Sequence, residues 1–223
     1  MNADRRSLVD SSRTPDDSPS GVDVIVFDLF GVLTSFDDNI VYRRLAAKCP
    51  DPVRALDAME GLVSHKDLIR GRLSLEQLYG QLVSAQGLGL GFRDFAAMWL
   101  EPYTEPMTGM ASLVRELSLS YRLVLLSNVD KYYWEIVRQQ HPELGLFSAQ
   151  LLSWELGLAK PDREMFLRAI EAAGASASRC FFIDDKEENT AAARAVGLRA
   201  HRFTGVDDLL ATLDAAGIRR ARA

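Results

Sequence analysis

The sequence contains few cysteines and lacks any apolar run of membrane-spanning length. Two of its 223 residues are cysteines, Cys49 and Cys180, and they are not in a CxxC arrangement. This scarcity argues against a disulfide framework or a thiolate metal site, and it is typical of a protein in a reducing cytosol. Because a transmembrane helix needs about 20 mainly apolar residues, no membrane-spanning segment is predicted.

The sequence also lacks a run of lysine or arginine residues, and its formal net charge is -5. Surfaces that bind nucleic acids or membranes usually carry such basic clusters, so neither partner is expected. A small phosphorylated molecule remains compatible with this charge, because a local group of cations can bind an anion. No glycine-rich dinucleotide fingerprint follows a strand pattern, and no nucleotide cofactor is expected.

The first segment, residues 1–21, is rich in Ser, Asp, Arg and Pro. It lacks the apolar stretch of a secretory signal peptide. Its composition predicts a disordered N-terminal leader on a cytoplasmic protein.

From Val22 onward, short strand patterns alternate with helical patterns. The strand patterns are VDVIVFD, RLVLLSN, AQLLS and RCFFIDD, with a further candidate in LRAHRF. Apolar residues at helical spacing occupy 110–120, 131–140, 161–174 and 186–197. This alternation predicts an α/β fold with a doubly wound, Rossmann-like parallel sheet, formed by residues 22–34 and 106–223.

Between the first two strands, residues 35–105 have a different texture. Four stretches in this region show apolar residues at helical spacing. A loop of this length without secondary structure would be unusual in a compact domain. The region therefore predicts an α-helical cap that lies over the strand ends.

Polar residues stand where three of the predicted strands end. Asp28 ends the first, Ser127 and Asn128 end the second, and Asp184 and Asp185 end a later one. Ligands of open α/β sheets bind at the carboxyl ends of the strands, so these side chains are expected to converge.

A lysine joins this set from the segment GLAKPDREMF. Pro161 is predicted at the first position of a helix, which places Lys160 at the helix entrance. The segments FDLFGVL, LLSN, GLAKPD and FFIDDKEEN then resemble, in order, the four motifs of the haloacid dehalogenase superfamily. The resemblance covers almost all of Val22 to Phe203, and the helical insertion lies where the subclass with helical caps carries its own.

The resemblance implies a role for each polar residue. Asp28 would be the nucleophile that forms an aspartyl-phosphate, and an aspartate is ordinarily ionised at neutral pH. Ser127 and Asn128 would bind a phosphoryl oxygen. Lys160 would place a positive charge on the same group and on the intermediate.

The resemblance also implies a Mg²⁺ site. Asp28, Asp185 and the backbone carbonyl of Phe30 would be its ligands, and Mg²⁺ prefers hard oxygen atoms. Asp184 would contribute indirectly or through water, and Asn189 would support the site.

One residue departs from the pattern of the family's phosphatases. Most carry an acid–base aspartate two residues after the nucleophile, and here that position is Phe30. Three interpretations remain open: a phosphatase whose leaving group needs little protonation or takes its acid from elsewhere, a 2-haloacid dehalogenase-like enzyme, or an impaired phosphate-binding or regulatory protein. The dehalogenases also have an aromatic residue here, but they lack the acidic pair and use no metal.

The retained polar residues favour a Mg²⁺-dependent hydrolase of a small phosphorylated metabolite. A phosphotransferase is a further alternative. The sequence indicates neither the substrate nor the oligomeric state.

Overall fold

The computed structural model describes residues 21–35, 37–64, 67–101 and 105–221. The predicted leader lies outside these residues except for Gly21. Five parallel strands form one sheet: β1 (Val24–Phe27), β2 (Arg122–Ser127), β3 (Ala149–Leu152), β4 (Cys180–Asp184) and β5 (Arg199–Arg202). Their order across the sheet is β3-β2-β1-β4-β5. The predicted fold class is confirmed.

The register of the central strands aligns their carboxyl ends. Phe27, the last residue of β1, is opposite Leu125 on β2 and Ile183 on β4. Asp28 follows β1 directly, whereas Ser127 and Asp184 are the last residues of their strands. All three residues therefore lie at one edge of the sheet.

Helices cover both faces of this sheet. They are α1 (Asp38–Ala46), α2 (Pro52–Ser64), α3 (Leu75–Gln86), α4 (Phe92–Trp99), α5 (Met110–Ser118), α6 (Lys131–Gln140), α7 (Ser153–Leu156), α8 (Arg163–Ala173), α9 (Glu187–Ala195) and α10 (Val206–Ala215), with 3-10 turns at Pro142–Leu146 and Ala177–Arg179. Ile25 and Phe27 share a hydrophobic cluster with α5, α6 and α10, whereas Val24 and Val26 pack with α8 and α9 on the other face. None of the helices described here combines the length and the apolar character that a membrane crossing needs. The cytoplasmic location stays a prediction.

Two details differ from the sequence analysis. Pro161 does not open a helix, because α8 begins at Arg163 and the backbone of Asp162 (φ -55°, ψ 130°) lies outside the helical region. Lys160 therefore projects from a loop. The last helix, α10, was not among the predicted helices, although Leu209 and Leu213 stand on its buried side at helical spacing.

Helices α1 to α4 form a separate hydrophobic cluster. The chain enters and leaves this helical region through two neighbouring segments. The Thr34 hydroxyl donates to the Glu105 carbonyl (2.9 Å), and the Ser35 N–H donates to the same oxygen (2.8 Å). The Met107 N–H donates to the Leu33 carbonyl (2.9 Å). The division into a core and a cap at residues 35 and 105 stays a prediction.

Candidate active site

A buried lysine holds two carboxylates together at the sheet edge. Lys160 Nζ lies 2.7 Å from Asp28 Oδ1 and 2.7 Å from Asp184 Oδ2, and its side chain is 1% exposed. A buried ammonium group is tolerated when it is paired and hydrogen-bonded. Lys160 thus fixes the ends of β1 and β4 relative to each other.

Asp184 is fully buried, and both of its carboxylate oxygens accept hydrogen bonds. Besides Lys160, it accepts hydrogen bonds from Asn189 Nδ2 (2.8 and 3.0 Å) and from the Lys186 backbone N–H (2.9 Å). Burial opposes ionisation, but Lys160 and these hydrogen bonds outweigh it and hold the pKa of Asp184 below its ordinary value. Asp184 is therefore a charged residue that positions Lys160 and Asn189.

Asp28 is held in one orientation, and its burial raises its pKa. Its Oδ1 accepts the Leu29 N–H (2.7 Å) as well as Lys160. Burial raises the pKa of Asp28 to about 8, Lys160 opposes the rise, and the charges of Asp184 and Asp185 add to it. Burial and the neighbouring carboxylates therefore work against ionisation of Asp28, and Lys160 works in its favour. An added cation beside these carboxylates would favour the ionised form.

Three carboxylates are close enough to share a metal ion. Asp28, Asp184 and Asp185 each offer an oxygen, and these atoms lie within 4.8 Å of one another. Within the described part of the chain, Asp185 Oδ1 is buried and has no hydrogen-bond partner. Oxygen donors of this kind suit Mg²⁺. The residues present therefore fit the ion that the resemblance implies.

Gly31 makes room for Asp185. A Cβ atom at this position would lie 2.6 Å from the Cγ and Oδ2 atoms of Asp185, and the backbone has a φ of +82°. Only glycine adopts this φ without strain and allows this approach.

Asn128 and Ser127 lie in different surroundings. The Asn128 side chain donates to the Lys160 carbonyl (3.0 Å) and accepts from the Lys160 N–H (2.8 Å), so it clamps the lysine backbone. Ser127 is fully buried, and its hydroxyl has no partner among the described residues. Its predicted contact with a phosphoryl oxygen stays a prediction.

A cavity of about 290 Å³ opens above the strand ends. Two of the predicted site residues, Ser127 and Asp184, do not line it. The others do: Asp28, Phe30, Asn128, Lys160, Asp185 and Asn189. The partly buried Phe30 ring lies 6.0 Å from the Tyr133 ring. The opposite wall of the cavity comes from helices α1 to α4 and the loop between α2 and α3.

Asp130 is a lining residue that the sequence analysis missed. Its carboxylate accepts the N–H groups of Tyr132 and Tyr133 (2.9 Å each) and caps α6. Burial raises the pKa of Asp130, and these bonds together with one from the Trp99 side chain oppose the rise. An aspartate directly before a helical pattern is an N-cap signal, so this residue was within reach of sequence reasoning.

A second missed contact joins the helical region to the sheet. Arg70 Nη2 lies 2.7 Å from Asp162 Oδ2, and Asp162 also accepts the Ala159 N–H (3.3 Å), next to Lys160. No local pattern links residues so far apart in the chain.

Most of the sequence also matches a known protein family. The model of the haloacid dehalogenase-like hydrolase family matches residues 22–197. The chain belongs to this family. It is a hydrolase with an α/β fold, and the matched residues include the carboxylates and the lysine described above.

Curated relatives of this haloacid dehalogenase-like hydrolase include phosphatases. A sesquiterpene phosphatase of Aspergillus oryzae is 30% identical over 190 residues, which cover 84% of this chain and 91% of that protein. A D-ribitol-5-phosphate phosphatase of Bacteroides thetaiotaomicron is 27% identical and covers 74% of this chain and 84% of its own.

A solved structure has the same fold. A haloacid dehalogenase family enzyme of Bacteroides thetaiotaomicron, in complex with magnesium and inorganic phosphate, has a TM-score of 0.65 and 20% identity. The match covers 82% of this chain and 95% of that one.

Proposed function

We propose that this hydrolase is a Mg²⁺-dependent phosphatase of a small phosphorylated metabolite and works through an aspartyl-phosphate on Asp28. The observation that carries the proposal is the buried Lys160, which lies 2.7 Å from both Asp28 and Asp184 at the floor of a cavity. The phosphatases among its relatives support phosphate esters as the substrate class.

In this mechanism, Asp28 attacks the phosphorus atom of the substrate. A bond forms between the carboxylate oxygen and phosphorus, and the bond to the leaving oxygen breaks. Lys160 stabilises the negative charge that develops on the phosphoryl oxygens, and its contact with Oδ1 keeps the carboxylate aimed. Water then attacks the aspartyl-phosphate and releases phosphate.

The carboxylates of Asp28 and Asp185 and the carbonyl of Phe30 would hold Mg²⁺. When bound, the ion would neutralise the clustered carboxylates and the phosphate and favour the ionised form of Asp28. Asp184 would act through its hydrogen bonds to Lys160 and Asn189.

Phe30 and the helices between residues 35 and 105 both contribute to the cavity lining. Phe30 would occupy the acid–base position of the family's phosphatases, and it cannot transfer a proton. The helices between residues 35 and 105 would be a cap that controls access. Their position across the cavity from the strand ends supports this role.

The test is the hydrolysis of p-nitrophenyl phosphate with Mg²⁺ and with EDTA. We expect Asp28→Asn to lower kcat/KM by at least roughly 10³-fold, because the nucleophile is removed. Asp57→Asn, which removes an exposed carboxylate on α2, is the matched control, and its kcat/KM should equal that of the wild type. Beryllium fluoride, which mimics the aspartyl-phosphate, should inhibit. Unchanged activity of Asp28→Asn, or EDTA-resistant chloride release from 2-chloropropionate, would contradict the proposal.

A further inference from the structure

The cavity has two chemically different sides. The strand ends contribute charged groups, whereas the opposite wall includes Tyr42 on α1, Met59 on α2, Leu78 and Leu82 on α3, and Trp99 on α4. Among the described lining residues that come from α1 to α4 and their connections, none is charged. A ligand bound at the strand ends therefore extends towards an apolar surface.

This wall offers few partners for a polar ligand. Its polar side-chain groups are the Tyr42 hydroxyl and the Trp99 indole N–H, and the Trp99 side chain is already hydrogen-bonded to Asp130. Hydroxyl groups of a sugar or polyol would lose their water without gaining equivalent hydrogen bonds, which is unfavourable. A hydrocarbon would lose no such bonds and would bury apolar surface.

Phe30 limits which leaving groups the site can release. It lines the cavity beside Asp28 and has no ionisable group. Asp130, a carboxylate on the same lining, is already engaged by the N–H groups of Tyr132 and Tyr133 and by the Trp99 side chain. An alkoxide leaves poorly without a proton, because its conjugate acid is as weak as water. An organic phosphate leaves easily, because its second pKa is about 6 and it needs no proton at neutral pH. Lys186, exposed on the same lining, offers a cation for the second phosphate group, and the exposed Glu188 nearby in sequence offsets part of its charge.

We infer, on the basis of the proposed function, that the substrate is the diphosphate ester of an apolar alcohol. Asp28 attacks the terminal phosphorus, and the bond from that phosphorus to the bridging oxygen breaks. The bridging oxygen keeps the electron pair and leaves as the alcohol's monophosphate. Water then attacks the aspartyl-phosphate, returns the carboxylate of Asp28 and releases inorganic phosphate, with its proton passing to solvent. The net reaction consumes one water and yields the organic monophosphate and phosphate.

The first experiment compares citronellyl diphosphate, citronellyl monophosphate and ADP with the wild-type enzyme and Mg²⁺. We expect kcat/KM for citronellyl diphosphate to exceed that for ADP by at least roughly tenfold, since a single methylene in an apolar pocket is worth about 10-fold or more. It should exceed that for the monophosphate by at least roughly tenfold, since only the diphosphate has a leaving group that needs no proton. The products should be citronellyl monophosphate and inorganic phosphate. An equal or higher kcat/KM for ADP would overturn the claim that the substrate's alcohol is apolar. An equal or higher kcat/KM for the monophosphate would overturn the claim that the substrate is a diphosphate. Release of pyrophosphate would overturn the bond assignment.

Hydrolysis of p-nitrophenyl phosphate in parallel separates two failures. If it proceeds and depends on Asp28, but citronellyl diphosphate is not preferred, only this inference is wrong. If it does not proceed at all and no diphosphate is hydrolysed, the proposed function is wrong as well.

The second experiment restores an acid with Phe30→Asp. General acid catalysis is worth about 10²–10⁴-fold, so single-turnover release of the alcohol from citronellyl monophosphate should accelerate. We expect this gain to be at least roughly fivefold larger than the gain for the diphosphate, whose leaving group needs no proton. Equal gains, or a larger gain for the diphosphate, would overturn the leaving-group argument. Phe92→Asp, at the exposed start of α4, is the control for the charge change.

The apolar wall is tested with Leu68→Gln. Leu68 is half-buried, lines the cavity and belongs to the loop between α2 and α3, which favours a folded variant. Its ratio of kcat/KM for citronellyl diphosphate over ADP should fall about five- to tenfold. Leu119→Gln, at a leucine that is 63% exposed on the other side of the fold, should keep the ratio. A ratio in Leu68→Gln equal to that of Leu119→Gln would overturn the role of this wall.

Discussion

The strand ends and the helices α1 to α4 enclose the same cavity with opposite chemistry. At the strand ends, Lys160, Asp28 and Asp184 are buried and locked by ion pairs of 2.7 Å. Across the cavity, the helices contribute apolar side chains that also form their own hydrophobic cluster. Ion pairs and hydrogen bonds depend on distance and angle, whereas apolar burial depends mainly on area. The reaction should therefore be sensitive to small changes at the strand ends, and ligand choice to the character of the helices.

The largest effect is expected at the lysine that organises the strand ends. Lys160→Met should lower kcat/KM for p-nitrophenyl phosphate by about 10²–10³-fold, because one preorganised positive charge is lost from the site of phosphoryl transfer. The variant also leaves Asp28 and Asp184 buried without their common partner, so its Tm should fall.

Lys48→Met, at an exposed lysine of the helical region, is the matched control and should keep both activity and Tm. If Lys160→Met kept activity within threefold of the wild type, the reaction would not be especially sensitive to changes at the strand ends.

Gly31→Ala tests how tightly the strand ends are packed. The new Cβ would lie 2.6 Å from Asp185, and the φ of +82° would be strained, so the carboxylate or the loop must shift. Misplacement by about 1 Å can cost about 10²-fold in rate, so activity should fall about 10- to 100-fold. A titration of activity with Mg²⁺ should also need more of the ion.

Gly80→Ala on α3 is the matched change across the cavity. A Cβ there meets nothing within 4 Å, and alanine favours a helix over glycine. This variant should keep its activity and gain up to about 1 kcal/mol in the free energy of unfolding. Equal losses of activity in the two variants would show that Gly31 has no special role.

The third prediction concerns metal binding without turnover. Mg²⁺ at about ten times its Kd should add roughly 1.4 kcal/mol to the stability of the folded protein, because it binds the clustered carboxylates only when they are assembled. The shift in Tm should disappear in Asp185→Asn. It should persist in Asp94→Asn, which removes an exposed carboxylate on α4. A Tm that does not respond to Mg²⁺ in the wild type would contradict the metal site.

Much of the fold followed from local sequence patterns. Short apolar runs predicted four of the strands, and LRAHRF was a candidate for the fifth. The position of Asp28, Asp184 and Asp185 at strand ends predicted their convergence. Parallel strands in register bring their carboxyl ends to one edge whatever the loops do, which makes this inference robust.

The surroundings of individual side chains were less predictable. Ser127 also ends a strand, yet it lies outside the cavity lining, because a strand-end position does not determine which way a side chain points. Periodicity predicted the helices α1 to α4, but it could not show which members of their hydrophobic cluster also line the cavity, since members with and without this contact are equally apolar. The segment around Pro161 was assigned to a helix, although α8 begins two residues later.

The smallest expected effect concerns the contact between the two regions. Arg70 on the helical side pairs with Asp162 beside Lys160 at 2.7 Å, and the side chains are 19% and 39% exposed. A double-mutant cycle with Arg70→Ala and Asp162→Ala, measured by urea unfolding, should give a coupling of about 1 kcal/mol, because the pair is only partly shielded from water. The exposed pair Arg44 and Glu101, at 46% and 55%, should couple by less than about 0.5 kcal/mol. Because Asp162 also accepts the N–H of the residue before Lys160, Arg70→Ala should in addition raise KM a few-fold. Equal coupling energies for the two pairs would mean that the helices and the strand ends are joined by packing alone.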